Sequence, residues 1–261
     1  MTIRICVAGA TGWTGGSLVP AIEAAPDLVL SGAVARRAAG TALAGVTVRA
    51  SVAEALDAAA TDVLVDYTSP EAVKGNVLAA LERGVAVVVG TSGLSAADYA
   101  EIGDVAARKG LGVIAAGNFS LTAALLQRFA LLAAAHVPQW EILDYAGFEK
   151  PDVPSGTARE LAERLGAVRA PAIGVPVESL HGPKETRGAE VAGVRVHSVR
   201  LPGYVLSCEA VFGLPGERLS IRHDAGESAA PYVAGTLLAA RRVREVTGIV
   251  RGLDTLLFGP A

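Results

Sequence analysis

Gly9, Gly12 and Gly15 fall at G-x-x-G-x-x-G spacing, directly after the strand-like run Arg4-Ile5-Cys6-Val7-Ala8 and just before a helical stretch. That context gives the spacing its chemistry. The first glycine lets the chain turn tightly, the second lets backbone approach a pyrophosphate, and the third lets helix and strand pack closely. The helix N-terminus then faces the negative charge. Thr11, Trp13 and Thr14 complete the loop. A second cluster lies far downstream, where Lys150 precedes Pro154-Ser155-Gly156-Thr157 at another helix start. A lysine beside a helix N-terminus is a ready clamp for a carboxylate, because ammonium, hydroxyls and backbone N–H groups all favour an anion. The plain alternatives are a Ser155 that only caps its helix and a Lys150 that is a solvated loop residue.

These residues need a frame, and the hydrophobic pattern supplies one. The spacing predicts strands over 4–8, 28–34, 62–67, 85–90 and 112–116, alternating with helices over 15–25, 51–59, 70–83 and 95–109. Ser51 and Glu54 stand at capping-box spacing. Strands and helices that alternate with short connections build a parallel α/β sheet with right-handed crossovers. After Asn118 the pattern changes to a helix over 122–135, a strand over 141–145, a helix over 155–166 and strand segments within 191–211 and 218–223. From Ala229 on it returns to helix. The expected fold is therefore α/β: a Rossmann-type parallel-sheet domain (1–117 plus 229–261) and an α+β substrate-binding and oligomerisation domain (118–228), with a cleft between them. The Pro- and Gly-rich stretch 167–189 reads as an exposed loop.

In open parallel sheets, ligands bind at the carboxyl ends of the strands. Asp66-Tyr67-Thr68-Ser69-Pro70 and Gly90-Thr91-Ser92-Gly93 both lie there, so Tyr67, Thr68, Gly90, Thr91 and Ser92 are expected to line the cofactor. The second strand runs into Ala35-Arg36-Arg37, with no carboxylate to grip a ribose 2′-hydroxyl. The guanidiniums of Arg36 and Arg37 can instead pair with a 2′-phosphate. NADPH is thus the preferred cofactor, with NADH as the lesser one.

Bulk composition excludes several classes. A net charge of −3 with no basic stripe argues against nucleic acid. No apolar stretch of about 18 residues is present, so no membrane span is expected. Residues 3–9 are too few for a signal sequence, and a cytoplasmic location is the expectation. Two cysteines and four scattered histidines make no zinc pattern, and no metal is expected. Cys6, in its apolar run, reads as a buried thiol.

The chain resembles the dihydrodipicolinate reductase family. The matching pieces are Val7-Ala8-Gly9-Ala10-Thr11-Gly12, Asp66-Tyr67-Thr68-Ser69-Pro70-Glu71, Gly90-Thr91-Ser92-Gly93, Gly117-Asn118-Phe119-Ser120, Lys150-Pro151-Asp152-Val153-Pro154-Ser155-Gly156-Thr157-Ala158 and His197-Ser198-Val199-Arg200-Leu201-Pro202-Gly203. They occur in the family's order over nearly the whole chain. The resemblance implies a homotetrameric reductase of a cyclic unsaturated dicarboxylate. It adds Gly117, Asn118 and Phe119 to the cofactor residues. It gives Lys150, Ser155, Gly156 and Thr157 the substrate carboxylate.

One departure bears on mechanism. The family's pattern carries adjacent histidines before the lysine, one read as the general acid. Here the run is Asp144-Tyr145-Ala146-Gly147-Phe148-Glu149-Lys150, with Ala146 and Gly147 in place of the pair. Tyr145, Asp144, Glu149, Lys150 or water would have to supply the proton, and Lys150 and Tyr145 are the catalytic candidates. Loss of the imidazoles would also leave a larger, less polar pocket beside Phe148. Three readings stay open: the lysine-pathway reductase, a divergent reductase of another cyclic imine or enone, and a non-catalytic NADP-binding protein. Short-chain dehydrogenases need a Tyr-x-x-x-Lys pair and acyl-phosphate reductases a mid-chain cysteine; this chain has neither.

Overall fold

The computed structural model describes residues 2–259 and divides into two compact units. One runs to Leu121 and is rejoined by Ala229–Leu257. The other is Thr122–Ser228 with Phe258 and Gly259.

In chain order the elements are β1 (Ile3–Ala8), α1 (Gly15–Ala24), β2 (Leu28–Val34), β3 (Ala42–Leu43), β4 (Val46–Arg49), α2 (Val52–Ala58), β5 (Val63–Asp66), α3 (Pro70–Glu82), β6 (Ala86–Val89), α4 (Ala96–Lys109) and β7 (Gly112–Ala115). Then follow α5 (Leu121–His136), β8 (Gln139–Ala146), α6 (Gly156–Val168), β9 (Ala189–Val191), β10 (Val194–Arg200), β11 (Leu206–Leu214), β12 (Glu217–Ala225), α7 (Ala230–Arg242), β13 (Gly248–Arg251) and α8 (Leu253–Phe258).

The first unit is a parallel sheet in the order β13-β7-β6-β5-β1-β2-β4, with β3 antiparallel at the β4 edge. The central strands β5, β6 and β7 are buried at every residue. They read as Val-Leu-Val-Asp, Ala-Val-Val-Val and Gly-Val-Ile-Ala, because helices covering both faces of a parallel sheet leave no polar side. Ser51 caps α2 by accepting from Glu54 N–H, and Ser95 and Asp98 form a capping box on α4. Three strands lie outside the sequence reading: β3 is two residues long, β4, Val-Thr-Val-Arg, carries polar residues within a Gly/Ala-rich stretch, and β13 is four residues long between helical segments.

The second unit is a five-stranded mixed sheet, β12-β11-β8-β10-β9. β8 alternates strictly: Trp140, Ile142, Asp144 and Ala146 are buried, whereas Glu141, Leu143 and Tyr145 are half-buried. The buried side packs on α5 and α6 through Leu126, Ala130, Leu131, Leu161 and Leu165. A two-residue period therefore separates a core face from an opposite face. The stretch between α6 and β9 holds only the short 3-10 turns Val177–Ser179 and Lys184–Arg187, mostly exposed.

His136 is the last residue of α5. His223 is buried, its Nδ1 sits 3.0 Å from Thr122 Oγ1, and Asp224 pairs with Arg222. The core face of β12 carries His223 inward beside Cys208, while Asp224 turns outward. Cys6 and Cys208 are free and fully buried.

Candidate functional site

β1 delivers Gly9 at the sheet's carboxyl edge, and α1 begins at Gly15. Gly9 has φ +82°, and an added Cβ would collide with the Tyr67 carbonyl. A Cβ on Gly15 would collide with the Gly9 carbonyl, so this glycine is where helix meets strand. Gly12 differs. Its Cβ would meet only Gly9 O, at 3.1 Å, and the residue is exposed. The turn is closed by Gly12 N–H donating to Gly9 O at 2.9 Å and Gly16 N–H donating to Gly12 O at 2.8 Å. The open side of Gly12 is thus a cradle free of side chain, which fits an approaching pyrophosphate. Thr11 and Trp13 are exposed beside it, and Thr14 is the N-cap residue of α1. The Trp13 ring stands edge-on to Tyr232, with centroids 5.6 Å apart.

The neighbouring strand ends are tied together by one carboxylate. Asp66 closes β5 and is fully buried. Its Oδ1 accepts from Thr68 N–H (3.1 Å), Thr68 Oγ1 (2.7 Å) and Thr91 Oγ1 (2.6 Å), and its Oδ2 from Asn76 Nδ2 (2.8 Å). Thr91 Oγ1 in turn accepts from Thr68 N–H at 2.7 Å. The loops after β5 and β6 are therefore one hydrogen-bonded body. Tyr67 packs against Gly90, where an added Cβ would collide with the ring, and its hydroxyl meets Thr236 Oγ1 at 2.7 Å. Burial pushes the Tyr67 phenol well above its ordinary range, so it stays neutral. Ser92 is exposed, whereas Asn118 and Phe119 are buried, with Asn118 Oδ1 accepting from Ser120 N–H. Gly117 is half-buried at the end of β7. Arg36 and Arg37 open a 3-10 turn after β2 and are exposed. Glu71 is held below the usual carboxylate range, mainly by its hydrogen bond with Ser69, with Arg36 a smaller contributor.

The second cluster lies wholly in the other unit. β8 ends at Ala146, and a loop carries Lys150 to α6. Ser155 is the N-cap of α6: its hydroxyl accepts from Ala158 N–H at 3.3 Å. An accepting hydroxyl still holds its own hydrogen to donate. Ser155 and Thr157 are buried, and Gly156 is half-buried between them. Lys150 Nζ is 2.8 Å from Asp152. Ala146 is fully buried, and a Cβ on Gly147 would sit 3.2 Å from the Tyr204 carbonyl. Phe148 is 61% exposed.

Tyr145 lies on the sheet face opposite Asp144 and Ala146. Its ring stacks on Tyr204 with centroids 5.2 Å apart, and the Arg222 guanidinium lies 4.8 Å from its centre. Its hydroxyl is 3.4 Å from Glu209, and burial followed by that carboxylate's charge raises its pKa. Sequence reasoning proposed neither Asp66 nor Arg200. Asp66 was signalled by a carboxylate in an otherwise aliphatic strand, and Arg200 by nothing beyond a cation at the end of a strand-like run.

Among the described residues no group of histidine, cysteine and carboxylate could hold a metal ion, and no helix is long and apolar enough to cross a membrane. The parallel sheet with a glycine turn at its carboxyl edge defines a Rossmann-type nucleotide-binding unit, joined to a second, mixed-sheet unit. The description "Dihydrodipicolinate reductase, N-terminus" matches residues 3–119, and "Dihydrodipicolinate reductase, C-terminus" matches 121–257. The 4-hydroxy-tetrahydrodipicolinate reductase of Moorella thermoacetica is 38% identical over 265 residues, covering 98% of each chain. That of Bacillus licheniformis is 38% identical over 264 residues, with the same coverage. The dipicolinate-bound dihydrodipicolinate reductase of Paenisporosarcina superimposes with a TM-score of 0.80 at 29% identity, over 98% of this chain and 100% of that one. An amine dehydrogenase from Mycobacterium smegmatis, at 16% identity and a TM-score of 0.64, shares the fold. The chain belongs to the dihydrodipicolinate reductase family.

Proposed function

We propose that this protein is an NADPH-preferring reductase of 4-hydroxy-tetrahydrodipicolinate, serving diaminopimelate and lysine biosynthesis. The observation that carries the reading is the segment from Lys150 to Thr157, which puts an ammonium, a capping hydroxyl and a helix N-terminus within one short stretch of chain, a set of groups that suits a carboxylate. Full-length relatives at 36–38% identity bear this activity in their names.

Gly9, Thr11, Gly12, Trp13, Thr14 and Gly15 would hold the pyrophosphate, and Arg36 and Arg37 the 2′-phosphate. Tyr67, Thr68, Gly90, Thr91, Ser92, Gly117, Asn118 and Phe119 would line the remainder of the cofactor. The empty side of Gly12 and the absence of a carboxylate after β2 support that fit. Bound there, dihydronicotinamide supplies a hydride. Lys150, Ser155, Gly156 and Thr157 would orient a carboxylate of the cyclic substrate and bring its unsaturated carbon to that hydride. The proton that completes the reduction would come from Lys150, since Ala146 and Gly147 carry none and Tyr145 faces the other side of the sheet. The half-buried sheet face with Glu141, Leu143 and Tyr145 supports assembly of the homotetramer through this unit, since a sheet face left partly open needs a cover. A cytoplasmic location fits the chemistry.

The test is NADPH oxidation, followed by absorbance, with freshly generated 4-hydroxy-tetrahydrodipicolinate, and NADH in parallel. Saturable turnover favouring NADPH is expected. A different reading is favoured if the dicarboxylate is inert while other cyclic imines are reduced.

A further inference from the structure

We propose that the Asp144–Arg200 pair, a fully buried carboxylate with a half-buried guanidinium, is the positioning device of the carboxylate clamp. The inference rests on the reading of Lys150 to Thr157 as that clamp. The loop from Gly147 to Ser155 has no regular secondary structure. Its own backbone bonds include one from Lys150 N–H to Gly147 O at 3.1 Å. Such a segment does not hold a lysine and a helix N-terminus in register unless something outside it fixes both ends.

Asp144 and Arg200 do this from the core face. Asp144 is fully buried, and its Oδ2 accepts from Ser155 N–H at 3.0 Å, Ser198 Oγ at 3.0 Å and Arg200 Nη2 at 2.8 Å. The same Arg200 nitrogen donates to the Asp152 carbonyl at 2.7 Å. One carboxylate thus fixes the N-cap of α6, and one guanidinium fixes the residue whose side chain holds Lys150. Strand register explains the meeting: Ser198 pairs with Asp144 and Arg200 with Ala146, so their side chains share Asp144's face. Asp144 Oδ1 and Arg200 Nε make no hydrogen bond among the described residues. A buried ion pair with unmet atoms is a poor way to gain stability, and apolar residues of like volume serve that end as well or better. Its use is geometry: Nη2 reaches the Asp144 carboxylate and the Asp152 carbonyl while Nη1 donates to the carbonyls of Val199 at 3.0 Å and Asp144 at 3.4 Å, which only a planar fork can do at once.

Arg200→Lys keeps the charge but puts three donors on one nitrogen, too few and too close together for the four oxygens that the guanidinium reaches with two. Asp144→Asn keeps an oxygen for the three donors and removes the charge that faces Arg200. Ser198→Ala deletes one donor and leaves the pair, so it is the gentle variant should the others fold poorly. The probe is dipicolinate, a dicarboxylate, titrated calorimetrically into the full-length protein loaded with NADPH. NADPH affinity is measured separately by Trp13 fluorescence, and thermal unfolding monitors the fold. Displacing a clamp by about 1 Å costs on the order of 10²-fold, so Arg200→Lys and Asp144→Asn should weaken dipicolinate about 10- to 100-fold. Ser198→Ala should weaken it about 3-fold, in keeping with one shared hydrogen bond. NADPH affinity should stay within about 2-fold, which a general loss of folded protein would not allow. Lys150→Ala is the companion variant. If it weakens dipicolinate while folded Arg200→Lys and Ser198→Ala do not, the positioning role is wrong and the clamp stands. If Lys150→Ala also leaves dipicolinate unchanged, the clamp itself is wrong and the inference falls with it.

Discussion

The glycines of the first turn should separate into two kinds when each is replaced by alanine. At Gly15 the new methyl would enter the Gly9 carbonyl, its carbon and Ala10 Cα, all of them backbone atoms that cannot swing away. Overpacking of that sort costs about 1–3 kcal/mol. For a chain of this size each kcal/mol lowers Tm by about 2–4 °C. At Gly12 the methyl meets one oxygen at 3.1 Å, which a shift of a few tenths of an ångström relieves. Stability should then change by less than about 1 kcal/mol, within the range of unremarkable single substitutions. The methyl would occupy the space proposed for the pyrophosphate, however, and NADPH should on that reading bind at least about tenfold more weakly, or about 1.4 kcal/mol. Gly16 is the control: it is exposed in α1 with nothing near its Cβ, and Gly16→Ala should stabilise by about 0.5–1 kcal/mol through helix propensity. The assays are thermal unfolding and energy transfer from tryptophan to NADPH. Trp13 is the exposed tryptophan, at 56%, and Trp140 is buried, so the signal reports on this turn. The reasoning is refuted if Gly12→Ala lowers Tm as far as Gly15→Ala while NADPH affinity is intact.

Asp66→Ala should destabilise by about 3 kcal/mol, since it removes the acceptor of the buried Thr91 hydroxyl and of the half-buried Thr68 and Asn76 donors at about 1 kcal/mol or more each, and Asp66→Asn should recover most of it; urea unfolding measures both. Burial, aided by the Asp66 charge, pushes the Cys6 thiol up to about 12, and burial also raises Cys208, so neither should react with a thiol reagent at pH 8 until the chain is unfolded. Burial lowers the His223 pKa, with Asp224 opposing. The unfolded chain then binds a proton that the folded one refuses. The stability from a neutral His223 is present above its ordinary pKa of 6.5 and is lost as pH falls below it. Unfolding midpoints between pH 7 and 5 should therefore fall more steeply for the natural chain than for His223→Gln; equal slopes would show that His223 does not carry the effect.

Much of this was legible in the sequence, for reasons that differ by element. The buried strands β5, β6 and β7 announce themselves as aliphatic runs, and the strand–glycine–helix order around Gly9 to Gly15 identifies a nucleotide turn without coordinates. The strands β4 and β13 did not show, because four residues with a terminal arginine carry too little periodicity. Tyr145 is instructive. Its neighbours in sequence, Asp144 and Ala146, belong to the core face, and two-residue alternation sends its ring to Tyr204, Glu209 and Arg222. Adjacency to Lys150 along the chain therefore said nothing about adjacency in space. Asp66 and Arg200 were missed for the opposite reason: their partners, Thr91 and Asp144, lie 25 and 56 positions away, and only the strand pairing brings them together.

The most direct test compares kcat/KM for 4-hydroxy-tetrahydrodipicolinate between the natural chain and Lys150→Ala, at saturating NADPH. If Lys150 both holds the substrate and supplies the proton, its loss should lower kcat/KM by at least about 10²-fold, the size of a positioned acid's contribution, with NADPH affinity unchanged. Equal kcat/KM values in the two proteins would contradict the account and move the substrate to a different part of the molecule.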